Sequence, residues 1–202
     1  TGVQTCALPI CRYWDMAATT ADEASDPDWR VGCKMGLDEF GQWWILDIAR
    51  LRGTPLDVER AVRGAAQRDG IACRILIEQE PGSAGKSIVA HYRRSVLAGY
   101  DCRGVLPSGD KATRAAPLSA QCQAGNVWLL RGQWISDYLD ELCAFPDAGH
   151  DDQVDASSGA FLSLAHAGAS WDASALARQM GGDRKSTRLN SSHVSEFRMP
   201  SS

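Results

Sequence analysis

Apolar and polar positions change period along the chain, and each change marks an element. Residues 12–18 are short, aromatic and end in small side chains, which predicts a strand carrying Asp15. Residues 19–29 are polar, with acids and a Pro, and predict a loop. Val31, Cys33, Met35 and Leu37 alternate, and a second apolar stretch runs over 43–51. Together they predict a hairpin turned at 38–42. Leu56, Val58, Val62, Ala65 and Ala66 recur at helical spacing, with Thr54 as N-cap and Gly70 as stop. Residues 72–78, centred on Ile75-Leu76-Ile77, predict a buried strand ended by Pro81 and Gly82. Then follow a helix over 87–98, a strand over 102–106, a helix over 111–124 and a strand over 126–130. A helix over 133–144 turns Trp134, Ile135, Tyr138, Leu139 and Leu142 inward. The last helix opens at His150-Asp151-Asp152-Gln153-Val154-Asp155-Ala156, with Val154, Phe161 and Ala165 on one buried face. Trp14, Trp43, Trp44, Trp128 and Trp134 fall on element faces and read as core. Three strands followed by alternating helices and strands predict an α/β fold, a mixed sheet with helices on its faces.

Composition narrows the class. The formal net charge is −4, and the last twenty residues hold four basic and two acidic side chains, so the remainder carries −6. That acidity argues against nucleic-acid binding by bulk charge alone. A metal-holding nuclease site is nevertheless locally acidic, because its ions restore attraction to phosphate. Cys33, Cys73, Cys102, Cys122 and Cys143 show no C-x-x-C pair and read as reduced, buried thiols of a cytosolic protein. No apolar run is long enough to span a membrane, so no membrane partner is expected. Both ends resemble translated sequencing-adapter sequence: residues 3–10, and 183–193 with 198–202. The expected organisation is a non-native leader over 1–11, one domain over 12–168, and a disordered, largely non-native tail over 169–202, with residues 1–10 and 183–202 packing against nothing.

The candidate chemistry is carboxylate chemistry. Asp15 ends the first predicted strand, and Glu78 ends the fourth, followed by Glu80. Asp152 and Asp155 lie three apart at the start of the last helix and are neighbours on it. Two carboxylates held so close repel unless a cation lies between them. Acids in the first turn also favour the helix dipole, and Asp151 suits a helix cap. Oxygen-only ligands suit Mg²⁺ or Mn²⁺ rather than Zn²⁺. Two such ions, about 3.5–4 Å apart, clamp the attacking and leaving oxygens of a phosphodiester.

Several strings carry a specific resemblance: Trp14-Asp15-Met16-Ala17-Ala18-Thr19, Ile77-Glu78-Gln79-Glu80-Pro81-Gly82, Lys111-Ala112-Thr113-Arg114-Ala115 with Gly125-Asn126-Val127, and Phe145-Pro146 ahead of the acidic helix. Together they resemble the C-terminal nuclease domain of the phage terminase large subunit, which is ribonuclease H-like. The resemblance implies a ribonuclease H-like mixed sheet with helices on both faces. It implies a two-metal-ion endodeoxyribonuclease that cuts concatemeric double-stranded DNA during viral genome packaging in the host cytoplasm. Asp15, Glu78 and Asp152 match the family's catalytic metal ligands, with Asp155 a fourth. Implied partners are the small terminase subunit, the portal protein and an N-terminal ATPase domain outside this chain. Holliday-junction resolvases share the Glu-Gln and Asp-x-x-Asp-Ala features, which favours Glu78 over Glu80 and Asp152 over Asp151. A resolvase or transposase-like nuclease of the same fold is the alternative.

Lys86, Lys111, Arg114 and Arg131 are candidate DNA phosphate contacts. His150 reads as a proton shuttle or a structural hydrogen-bonding group. Gly82-Ser83-Ala84-Gly85-Lys86-Ser87 follows a strand and precedes a helix, as a phosphate-binding P-loop does. Glu80 occupies the place of the first Gly, where its charge would oppose the phosphates. A P-loop ATPase fragment is thus a further alternative, and Lys86 reads better as a contact to DNA or to a metal-site carboxylate.

Overall fold

The computed structural model of the protein describes residues 9–16, 29–147, 149–166 and 186–188. The strands are β1 (Ile10–Asp15), β2 (Arg30–Leu37), β3 (Trp43–Leu51), β4 (Arg74–Glu78), β5 (Cys102–Val105), β6 (Val127–Leu130) and β7 (Ser186–Arg188). The helices are α1 (Pro55–Asp69), α2 (Ser83–His91), α3 (Lys111–Gln123), α4 (Ile135–Ala144) and α5 (Asp152–Ala165). One sheet holds all the strands in the order β5-β4-β1-β2-β3-β6-β7. Only β2 and β7 run against the others, so β1, β3, β4, β5 and β6 all end on one edge.

Alternation along β1 divides the core. Cys11 and Tyr13 join the cluster built with α3, α4 and α5. Trp14 joins Val58, Val62, Ile75, Ile77 and Tyr92 on the opposite face, against α1 and the π-helical turn Tyr92–Val96 that continues α2. Helices therefore cover both faces, as an α/β sheet with two apolar sides requires. Thr54 caps α1 in a reciprocal box with Asp57, and Gly70 leaves the helix at φ 79°. The hairpin turn is held by Asp38 Oδ1, which accepts from the amides of Phe40 and Gln42 at 2.9 and 2.8 Å.

Beneath α1 lies a buried ion network. Arg12 donates to Asp69 at 2.5 Å, to Asp47 at 2.7 Å and to the Gly32 carbonyl at 2.9 Å, and Lys34 reaches Asp69 at 3.0 Å. It pins the end of α1 to β1, β2 and β3.

Several boundaries differ from the sequence reading. Ile10 and Cys11, assigned there to the leader, open β1 and are buried, because strand pairing with β2 extends to Ile10. Ser186–Arg188, assigned to the tail, pair antiparallel with β6, whose outer edge otherwise offers unpaired backbone groups. The remainder of that tail, the leader as far as residue 8, and most of the predicted 19–29 loop lie outside the described residues. The second helix starts at Ser83 instead of 87, so Ala84, Gly85 and Lys86 are helical. Gly85 sits against the Glu80 carbonyl, where a Cβ would collide. No loop remains there to cradle phosphates, which removes the P-loop ATPase alternative.

The acidic helix is not one-sided. Every residue from Asp152 to Phe161 is buried, because α5 lies on β1 and β2 with α3 and α4 beside it. Small residues permit that approach. A Cβ at Gly159 would run into the Tyr13 ring. Trp14 and Trp43 are core, whereas Trp44 and Trp128 stack on one another, centroids 5.5 Å apart, and are only half-buried. Their indole N–H groups reach Asp38 and Gln42 at 2.9 and 2.8 Å, which holds them near the hairpin turn. Trp134 is also half-buried, just ahead of α4. Cys33, Cys73, Cys102 and Cys122 are buried free thiols, and Cys143 is a half-buried one.

Candidate active site

Parallel pairing places two acids side by side. Trp14 pairs with Ile77 across β1 and β4, so Asp15 and Glu78 follow one step later at the two strand ends. Tyr13 and Leu76, two residues earlier, both pack in the α5-side core, and alternation sends Asp15 and Glu78 to that same face. Glu80 lies beyond the strand and is exposed. The start of β2 lies beside the end of β1, with Val31 opposite Asp15. Immediately before β2, the Trp29 amide donates to Asp152 Oδ2 at 3.1 Å. The first residue of α5 is thereby brought to the edge that carries Asp15 and Glu78. Sequence separations of 63 and 74 residues, from Asp15 to Glu78 and from Glu78 to Asp152, close here.

The charges around these acids are unevenly matched. Tyr13 donates its hydroxyl to Glu78 Oε2 at 2.8 Å. Burial pushes the Glu78 carboxyl up, and the Tyr13 bond and Arg114 only partly offset it. Burial and the Glu78 charge raise the Tyr13 hydroxyl in turn, so it remains a donor. Asp155 accepts from Arg114 at 2.6 Å and faces Lys111 Nζ at 3.0 Å. Lys111 also donates to Asp151 at 2.6 Å. Burial disfavours the charge on Lys111 and on Arg114, but their carboxylate partners outweigh it and raise both groups. His150 Nδ1 stands 3.9 Å from Asp152 Oδ2, and its Nε2 stands 3.5 Å from Arg52.

The terminase RNase H-like domain family matches residues 12–164. The chain belongs to that family. No curated protein sequence matches it. Among solved structures it is similar to the fowlpox virus Holliday junction resolvase over 76% of this chain and 95% of that one, at 14% identity and a TM-score of 0.44.

Within this terminase nuclease domain, the predicted DNA contacts divide. Lys111 and Arg114 are engaged with the carboxylates of the site itself. Lys86 is exposed on α2, and Arg131 is exposed after β6. Arg131 lies three strands from β1, about 14 Å along the edge. Asp151 occupies the N-cap position of α5, yet its side chain makes no capping bond and turns to Lys111 instead. Glu141 of α4 does the capping. It accepts from the Gln153 and Val154 amides at 2.6 and 3.3 Å and from Gln153 Nε2 at 2.5 Å. Sequence reading missed Glu141 because it lies a whole element away and sits on the apolar face of α4.

Sequence reading also missed Trp29. Arg50 and Arg52 lie over its ring, each 4.1 Å from the centroid. Alternation puts these two arginines on one face of β3 and its extension, the only local signal available.

The oxygen donors Asp15, Glu78, Asp152 and Asp155 fit a hard divalent cation in kind and in their shared sheet edge. As the side chains stand, no three His, Cys, Asp or Glu among the described residues are gathered closely enough to hold an ion. The geometry gives the reason for Asp155, since Arg114 and Lys111 draw both of its oxygens.

Proposed function

We propose that this terminase nuclease domain is a metal-dependent endonuclease that cuts concatemeric double-stranded DNA during viral genome packaging in the host cytoplasm. Its implied partners are the small terminase subunit, the portal protein and an ATPase domain N-terminal to it. The observation that carries the reading is the placement of Asp15 and Glu78 at the ends of adjacent parallel strands, with α5 delivering Asp152 to the same edge.

Asp15, Glu78 and Asp152 would hold Mg²⁺ or Mn²⁺, two ions in the family manner, with Asp155 exchanging its lysine and arginine for one of them. When bound, the metal supplies activation of water and charge stabilisation at the leaving oxygen. The residues of the chain do the positioning. Tyr13 orients Glu78, Glu141 fixes the first turn of α5, and the Trp29 amide fixes Asp152. Lys111 and Arg114, once released from Asp155, stand where they meet the phosphates of the strand being cut.

The test is nicking of supercoiled plasmid in Mn²⁺. Asp152→Asn should abolish it, because the amide keeps the shape and loses the charge that holds a cation. Asp151→Asn should retain most activity, since that carboxylate only pairs with Lys111. Unimpaired cutting by Asp152→Asn would remove the acidic helix from the catalytic edge.

A further inference from the structure

Two cations open α3, at the end of a helix that disfavours them. Lys111 is the first residue of α3 and Arg114 lies three further on, so both belong to the opening turn and share a face. That turn carries the positive end of the helix dipole and contains no acid, so local preference opposes positive charge there. Asp110 caps the helix, accepting from the Thr113 amide at 2.8 Å, and fixes the turn in place. Ala115, Leu118 and Cys122 continue the same side of α3 into the core, against α5. What holds the two cations is therefore long-range: the acids of α5.

Their contacts are unequal. Arg114 Nη2 meets Asp155 Oδ1 at 2.6 Å, and its side chain is 12% exposed. Lys111 Nζ meets Asp155 Oδ2 at 3.0 Å and Asp151 Oδ1 at 2.6 Å, and its side chain is 52% exposed. Asp155 thus lends one oxygen to each cation. A carboxylate held through one oxygen by a guanidinium still offers the other in a fixed direction, which is how metal ligands are oriented. Lys111 bridges two acids one helical turn apart with a single positive centre, as a metal ion does. Its longer contact is the one to Asp155, and its exposure and flexible stem let it leave without opening the core. The charges of Arg114, Asp155 and Lys111 all act on Glu78, which puts this contact at the catalytic edge.

We propose that Lys111 is a tethered stand-in for a metal ion at Asp155 Oδ2: an ion is taken up there only by displacing the ammonium, while Arg114 still orients Asp155 through Oδ1. The stand-in rests on the nuclease reading and adds to it an order, in which Lys111 leaves first. Lys111 is a positioning residue in this role, because it acts through Asp155. The displaced ammonium falls back on Asp151 or passes to a phosphate of the strand. Competition of this kind lowers the apparent affinity for the ion to the fraction of molecules in which Lys111 has let go.

The experiment is a titration with Mn²⁺ in the absence of DNA, with free ion read from its electron paramagnetic resonance signal. K111M should bind Mn²⁺ about tenfold more tightly than the parent, the order of one charge-assisted hydrogen bond. Removing any nearby cation also favours an incoming ion, so the place of the gain decides. D155N and K111M/D155N complete a double-mutant cycle. The gain should vanish in the D155N background, because the ammonium then covers no oxygen that the ion needs.

Equal affinities of K111M and the parent overturn the stand-in while leaving the nuclease reading intact. So does a gain that persists in the D155N background, since it would come from bulk charge. A parent and a K111M that both bind no Mn²⁺ overturn the nuclease reading as well. Melts accompany each variant. If K111M/D155N has no cooperative transition, R131Q decides, because it removes an exposed cation from the same edge without touching Asp155. A gain there equal to that of K111M contradicts the stand-in, and no gain supports it.

Discussion

The two faces of β1 bury charge in opposite ways. Arg12 points toward α1, where Arg12 and Lys34 meet Asp69 and Asp47, two cations against two anions. Asp15, three residues on, points toward α5. There Lys111 and Arg114 meet Asp151 and Asp155, Tyr13 meets Glu78, and the Trp29 amide meets Asp152. The first set is balanced and closed: Arg12 and Lys34 are almost fully buried, and each has a short contact to Asp69. The second lies at strand ends, and its Lys111 is half exposed. A closed set suits a strut between helix and sheet, whereas an open set of acids suits a place that receives a cation. Buried charge alone does not mark an active site; acids at an open edge do so far better.

The largest test of this contrast is Asp69→Ala. It removes the carboxylate that two buried cations share and should cost about 3–5 kcal/mol by urea unfolding. Its pH dependence has a defined sign. Burial disfavours the Asp69 carboxylate, but Arg12 and Lys34 outweigh it and hold the group below its ordinary value of 3.8. The stability it confers is therefore complete above pH 3.8 and lost as pH falls through the lowered folded value. Parent and Asp69→Ala should converge in acid, and a gap that persists there would show packing rather than charge at work.

On the α5 face, Gly159→Ala should cost about 1–3 kcal/mol, because its methyl group displaces the Tyr13 ring. It should also lower nicking by disturbing the Tyr13 bond to Glu78. An unchanged melt would mean that the close approach of α5 to β1 is not needed. The smallest effect belongs to Asp152→Asn without metal. Its amide oxygen can still accept from Trp29, and one negative charge leaves a crowded set, so stability should hold or rise. The gain in melting temperature on adding Mn²⁺ should shrink in the same variant. A large loss without metal would place Asp152 with Asp69 among the struts.

Much of this was legible in the chain. Alternation over β2 and β3, the Thr54 and Gly70 signals of α1, and the helical spacing in α4 report local geometry, which side-chain pattern and caps dictate within a few residues. Asp15, Glu78 and Asp152 could be singled out because a strand end and a helix start are local features too. What depended on distance was not legible. The start of α2 moved to Ser83 because Gly85 fits against the Glu80 carbonyl. Asp151 pairs with Lys111 of α3 instead of capping the helix, and Glu141 of α4 takes that role.

By itself, then, the sequence determined the order of elements, the mixed sheet with two helical layers, and the three acids at element ends. Only the tertiary structure decided the partners: Arg114 on Asp155, Trp29 on Asp152, and the two arginines on Trp29. The physical reason is range. Dihedral preference and hydrophobic period act between near neighbours, whereas a charge or a ring takes whatever group the packed sheet and helices bring within a few ångströms of it.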